Sequence, residues 1–383
     1  MPADDVTPFT IAVPEADLVD LRDRLARTRW PEAETVDDWS QGAPLAYVRD
    51  LCAYWQSTYD WRRLEATLNG FDQLRTTIDG LGIHFIHARS PHEGATPLVI
   101  THGWPGSVVE FLKVIEPLTN PPDPADAFHV VCPSLPGYGW SDKPTDTGWG
   151  VPRIAAAWTE LMGRLGYDRF GAQGGDWGSM VTSAIGSNHA DRCIGIHLNM
   201  AIALPDPESM SSLTEAETSA LGGMQHYQQW DSGYSKQQST RPQTLGYGLA
   251  DSPAGQCAWI LEKLWAWTDC DGDPANALTR DEMLDDITLY WLTGTAASSA
   301  RLYWESFESG SLDPIEVPSG IAVFPKEIFR TSERWARKRF TDLRHFATPA
   351  KGGHFAAWEQ PALLVADMRE GFRSLRPKLM ANR

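Results

Sequence analysis

The sequence predicts an α/β fold: a mostly parallel sheet flanked by helices, with a helical insertion and a helical N-terminal extension. Three observations carry this. Between residues 73 and 200, short apolar runs alternate with helical patterns, as in a parallel sheet covered on both faces. Arg169–Gln173, suited to a buried strand, runs into Gly174-Gly175-Asp176-Trp177-Gly178 and then a helical pattern. That is the strand–turn–helix frame of a nucleophile elbow. Finally, Ala201 to Glu308 is helical, polar and Trp-rich without a strand pattern, far longer than an ordinary loop.

Taken in order, Pro14–Arg29 reads as a helix with Leu18, Leu21 and Leu25 on one face and Pro31 beyond its end. Leu45–Trp55 and Trp61–Leu68 read as two more. Each has one apolar stripe, so residues 1–72 are expected to pack on the rest of the chain rather than stand alone. Gln73–Ile78 and Ile83–Ala88 alternate around Asp79-Gly80-Leu81-Gly82, a β-hairpin. Pro97–Thr101 and Phe128–Cys132 read as buried strands, followed by a helix over Val108 to Leu118 and another over Val151–Leu165. After the elbow come a helix at Met180–Ser187 and a strand at Ile194–Asn199. The sheet resumes at Gly320–Phe324 and Leu343–Ala347. The expected division is extension 1–72, core 73–200 and 309–383, and lid 201–308; the length suits two or three such units.

The elbow has aspartate where the usual G-x-S-x-G has serine. A serine attacking a saturated carbon would leave an ether, a dead end. A carboxylate leaves an ester that activated water can cleave. Asp176 therefore points to displacement at an sp3 carbon, as in an epoxide or an alkyl halide. His354, in Gly352-Gly353-His354-Phe355 after the last strand, is the expected general base on water. Glu327, after the penultimate strand, is the expected orienter of that imidazole, with Asp142 and Asp313 weaker candidates. The backbone N–H groups of Trp104 and Trp177 are the expected oxyanion donors, and their rings are expected to touch substrate. His102 reads as a packing residue. An epoxide oxygen also needs an acid facing Asp176, and a neutral phenol suits it. Tyr227, Tyr234, Tyr247, Tyr290 and Tyr303 are candidates that spacing does not separate.

The formal net charge of −17 argues against nucleic acid or an anionic membrane as the main partner. Five cysteines without a C-x-x-C pair suggest reduced, buried thiols rather than disulfides or a metal site. The acidic start lacks an apolar segment, and no run of residues is apolar enough to span a bilayer. Seventeen Trp residues suit cores and apolar pockets, with Trp259, Trp265 and Trp267 in the insertion.

These motifs together resemble the α/β-hydrolase epoxide hydrolases of the microsomal and juvenile-hormone branch. Arg29-Trp30-Pro31 is similar to that branch's extra N-terminal region. His102-Gly103-Trp104-Pro105-Gly106-Ser107, Gly174–Ser179 and Gly352–Ala357 are similar to its oxyanion, nucleophile and base motifs. The resemblance implies an α/β-hydrolase fold and Tyr234 and Tyr303 as ring-opening acids, with Tyr303 the firmer assignment. It places Glu327 where some members have Asp. It implies no cofactor, no metal and a small apolar epoxide as partner. Animal members often carry a membrane anchor; none is evident here, so a soluble, cytoplasmic protein is expected, with a homodimer left open. A haloalkane or haloacid dehalogenase is the alternative enzyme, and a non-catalytic binding protein on the same fold the alternative of another class.

Overall fold

The computed structural model describes residues 5–306 and 312–375. The expected lid–core junction at 308 and 309 lies outside these residues, as do the ends of the expected segments at 1 and 383.

A two-residue strand, β1 (Thr7–Pro8), leads into three helices, α1 (Glu15–Ala26), α2 (Leu45–Ser57) and α3 (Trp61–Asn69). α1 buries Leu18, Leu21 and Leu25, but Pro14 is its cap, and it ends three residues before Arg29. There the Arg27 N–H reaches back to the Arg24 carbonyl at 3.1 Å, tightening the last turn. Asp60 caps α3 by accepting from the Arg62 N–H at 2.9 Å.

β2 (Gln73–Ile78) and β3 (Leu81–Ala88) pair with Ile78 opposite Leu81. The hairpin loop is therefore Asp79-Gly80 alone, not the expected four residues. Both loop residues have positive φ (49° and 78°), the two-residue turn whose twist matches antiparallel strands. Leu81 and Gly82 belong to β3.

The parallel part comprises β4 (Thr96–Thr101), β5 (Phe128–Pro133), β6 (Phe170–Gly174), β7 (Cys193–Leu198), β8 (Ser319–Ala322) and β9 (Leu343–Ala347). Strand order is β1-β2-β3-β5-β4-β6-β7-β8-β9, with β3 antiparallel to β5. Helices α4 (Leu112–Thr119), α5 (Val151–Arg164) and α6 (Asp176–Asn188) connect these strands. The expected Val108–Leu118 helix is a tight turn at Val108–Phe111 followed by α4.

Between β7 and β8 lie α7 (Glu215–His226), α8 (Gly233–Thr240), α9 (Pro242–Asp251), α10 (Pro253–Trp267), α11 (Arg280–Thr293) and α12 (Ala296–Ser306). A turn of π-helix at Tyr227–Asp231 joins α7 to α8. Three helices that the sequence patterns did not predict complete the fold: α13 (Glu333–Arg339), α14 (Ala356–Glu359) and α15 (Pro361–Leu375). α15 buries Leu364, Val365, Met368, Phe372 and Leu375, and the Phe372 ring fills the place a side chain on Gly171 would take. All five cysteines are free and buried. Among the described residues no helix is long and apolar enough to cross a membrane.

Candidate active site

Asp176 stands at the first residue of α6, directly after β6, with φ 48°. A non-glycine residue adopts this strained left-handed conformation only when its surroundings enforce it. Two glycines do so. A Cβ on Gly174 would overlap the Gly178 carbonyl, and a Cβ on Gly178 would overlap the Thr101 carbonyl at the end of β4. A third, Gly103, leaves the room that the Asp176 carboxylate occupies.

The two carboxylate oxygens face different groups. Oδ1 accepts from the Trp104 backbone N–H at 2.8 Å. Oδ2 lies 3.2 Å from His354 Nε2. The other imidazole nitrogen, Nδ1, lies 2.7 Å from Glu327 Oε1. Glu327 is buried, not a surface carboxylate, and the Ile328 N–H at 2.7 Å also donates to its Oε1. The longer side chain therefore reaches the imidazole.

Burial opposes charge on His354, but Glu327 and Asp176 outweigh it and hold the imidazole well above its ordinary pKa. The His354 loop is pinned from both sides. The His354 N–H donates to the Trp267 carbonyl at 2.9 Å. The Glu359 carboxylate accepts from the Gly353, Phe355 and Asp269 N–H groups at 3.2, 3.0 and 2.7 Å.

Tyr234 and Tyr303 are buried, and the Asp176 charge acts on both phenols. Tyr303 meets the Trp177 ring edge-on at 4.9 Å, and Tyr234 stacks on Trp104 at 4.9 Å. The two tyrosine rings are 5.7 Å apart. Burial, and then the Asp176 charge among other neighbours, raises both phenols well above their usual range, so both keep their protons. The π-turn carries Tyr227, whose hydroxyl lies 3.0 Å from that of Tyr234.

Other candidates lie elsewhere. Tyr247 is 72% exposed. Tyr290 donates to the Gly106 carbonyl at 2.8 Å. Asp142 is taken by Arg75 and by the Gly82 N–H at 2.8 Å, because it fixes the loop to β3. Asp313 is exposed. His102 packs as expected, accepting from the Leu135 N–H at 3.2 Å. Of the three tryptophans singled out in the insertion, only Trp267 meets the candidate cluster, its ring 5.0 Å from His354. Trp265 stacks on Trp39, and Trp259 donates to Gln238.

Sequence reasoning missed Glu359 and a buried carboxyl, Glu110, and named Tyr227 and Trp267 only among candidates that it did not separate. Only Glu110 had a usable signal, an acid three residues after the His102–Ser107 motif.

The profile of the family "Epoxide hydrolase N terminus" matches residues 6–111, and that of the "alpha/beta hydrolase fold" matches residues 96–242. A provisionally named epoxide hydrolase from Stigmatella aurantiaca is 56% identical over 97% of this chain and 86% of its own length. Epoxide hydrolase 1 of Sus scrofa is 35% identical over 96% of this chain and 88% of its own. The solved epoxide hydrolase of Aspergillus niger superposes with a TM-score of 0.89 at 34% identity, covering 97% of both chains. The juvenile hormone epoxide hydrolase of Bombyx mori superposes at 0.88 and 31% identity, over 97% of this chain and 95% of its own. With an elbow carrying aspartate and relatives matched along nearly the whole length, the chain belongs to the epoxide hydrolase family of α/β-hydrolase enzymes.

Proposed function

We propose that this epoxide hydrolase converts small apolar epoxides to vicinal diols through a covalent ester on Asp176. One observation carries the reading: Asp176 is held with one oxygen on a backbone N–H and the other beside His354, and two buried, protonated tyrosines pack on the neighbouring Trp104 and Trp177 rings.

In the first half-reaction, Asp176 Oδ2 attacks an epoxide carbon and the C–O bond of the ring breaks. Tyr234 and Tyr303 donate to the departing oxygen, which ends protonated. Oδ1 becomes the ester carbonyl oxygen, still bound to the Trp104 N–H; the Trp177 N–H is proposed as its second donor. Esterification removes the Asp176 charge, one of the two that hold the proton on His354. The imidazole then gives up that proton to restore the tyrosine and becomes a base.

In the second half-reaction, His354 takes a proton from water and the water oxygen bonds to the ester carbon. The bond to the alkyl oxygen breaks, and that oxygen takes the proton back from His354. The diol leaves. The aspartic acid returns its remaining proton to His354, which restores the starting charges. No cofactor enters this sequence. The division into extension 1–72, core 73–200 and 309–383, and lid 201–308 is part of the same proposal.

Asp176→Ala should abolish diol formation. His354→Gln should form ester without cleaving it, seen by intact-protein mass spectrometry as a gain of one substrate mass. Absence of any adduct, or halide release in place of diol, would overturn the reading.

A further inference from the structure

Glu110 lies on the tight turn after the oxyanion loop, and neither half-reaction gives it a role. Its carboxyl folds back over Gly106, into the space that any side chain there would fill. It is buried, 8% exposed, and lines a small cavity that Asp176 also lines. That cavity has about 20 Å³ of room for water; about 10–15 Å³ holds one molecule.

Its polar lining includes Glu110, Gln173, Asp176, Asn199 and His354, from the tight turn after the oxyanion loop, the end of β6, the start of α6 and two loops that follow strands. The lid tyrosines do not line it. Gln173 donates to Asn199 Oδ1 at 2.8 Å, which fixes that pair as a polar wall. A pocket this size with several polar groups suits water and excludes an organic substrate.

We propose that Glu110 is a positioning residue for the second half-reaction, holding the hydrolytic water in this cavity between His354 and the ester carbon of Asp176, away from the lid tyrosines. The proposal rests on the covalent reading of Asp176. The water loses one proton to His354 Nε2 while its oxygen bonds to the ester carbon. Glu110 exchanges no proton; its carboxyl supplies hydrogen bonds that aim the oxygen. Burial raises this carboxyl well above the usual range, as does the nearby Asp286, so it stays a neutral acid able both to donate and to accept.

The test is single-turnover kinetics with styrene oxide, following ester formation and ester cleavage separately. Glu110→Asp keeps the acid but withdraws it from the cavity by one carbon. Glu110→Gln keeps the reach and both hydrogen-bonding roles but cannot titrate. Ester formation should stay within about twofold of wild type in both. Cleavage should slow by about 10-fold or more in Glu110→Asp and stay within about threefold in Glu110→Gln. A melting temperature for each variant separates loss of fold from loss of water positioning.

Normal cleavage in Glu110→Asp overturns the inference. So does an equal fall of both steps, which marks a structural role. Cleavage lost in Glu110→Gln overturns it in favour of Glu110 as a titrating base. A wild-type enzyme that never forms ester removes the covalent reading itself, a result distinct from ester formed and cleaved normally by Glu110→Asp.

Discussion

Glu359 shows how much of the candidate site's geometry rests on a residue with no part in the proposed chemistry. Its carboxylate satisfies backbone donors on both sides of His354 and one more at Asp269. Burial still lifts this carboxyl to about 7. Glu359→Ala leaves three N–H groups unpaired at a buried position and should cost about 2–4 kcal/mol. Thermal unfolding checks that. In the surviving folded enzyme, kcat should fall more than KM rises, because the imidazole loses its aim and not the substrate its pocket. At this scale the sequence was legible where chemistry demands a residue type. Asp176, His354 and Glu327 stand in chain order in recognisable frames, and the structure brings them together. Glu359 was not legible, because its partners are backbone amides, which leave no spacing in the sequence. Glu110 offered only its distance from the His102–Ser107 motif, since the void it lines leaves no pattern.

The elbow is the element on which most depends. Gly178 passes so close to Thr101 that a methyl group there collides with backbone on the neighbouring strand. Neither side can give way without parting β4 from α6. Gly178→Ala should therefore destabilise by more than about 4 kcal/mol and yield little folded protein, as measured by circular dichroism and soluble expression. The elbow was readable because its glycines are required by close approach. The hairpin turn read too long because Leu81-Gly82 looks like loop in sequence. Only pairing shows that Gly82 sits opposite Thr77. β1 has two residues and no pattern to detect. α15 did have a pattern, with apolar residues at 364, 365, 368, 372 and 375, but it lies beyond the last motif.

At the scale of the whole molecule, the insertion is fastened to both the sheet and the extension. On the sheet side, Ser107 donates to Asp286 of α11 at 2.6 Å. Burial lifts the Asp286 carboxyl to about 8, against roughly 4 in an unfolded chain. Between those values the folded state holds the extra proton, so this group's contribution to stability falls as pH rises from about 4 to about 8 and is level above. Asp286→Asn removes the titration. Chemical denaturation at pH 5, 7 and 9 should show the variant losing less stability across the range than wild type. On the extension side, Tyr59 donates to Asp285 at 2.8 Å, Arg63 pairs with Asp285 at 2.5 Å, Tyr54 donates to Asp281 at 2.9 Å, and Arg280 pairs with Asp50. Helix and strand periodicity predicted that each part exists. These contacts between residues more than 200 positions apart were beyond it.

The insertion is held from the α13 side as well: Arg334 pairs with Glu217 of α7, and the Trp335 indole donates to Ser209 at 2.8 Å. Between α7 and α11 in the chain, the π-turn carries Trp230 almost bare to solvent, at 79% exposure. An indole left outside gives its stretch of backbone little burial to lose on opening, so a protease finds its first foothold there. Limited proteolysis of the resting enzyme should nick the segment around Trp230 well before any bond in α11.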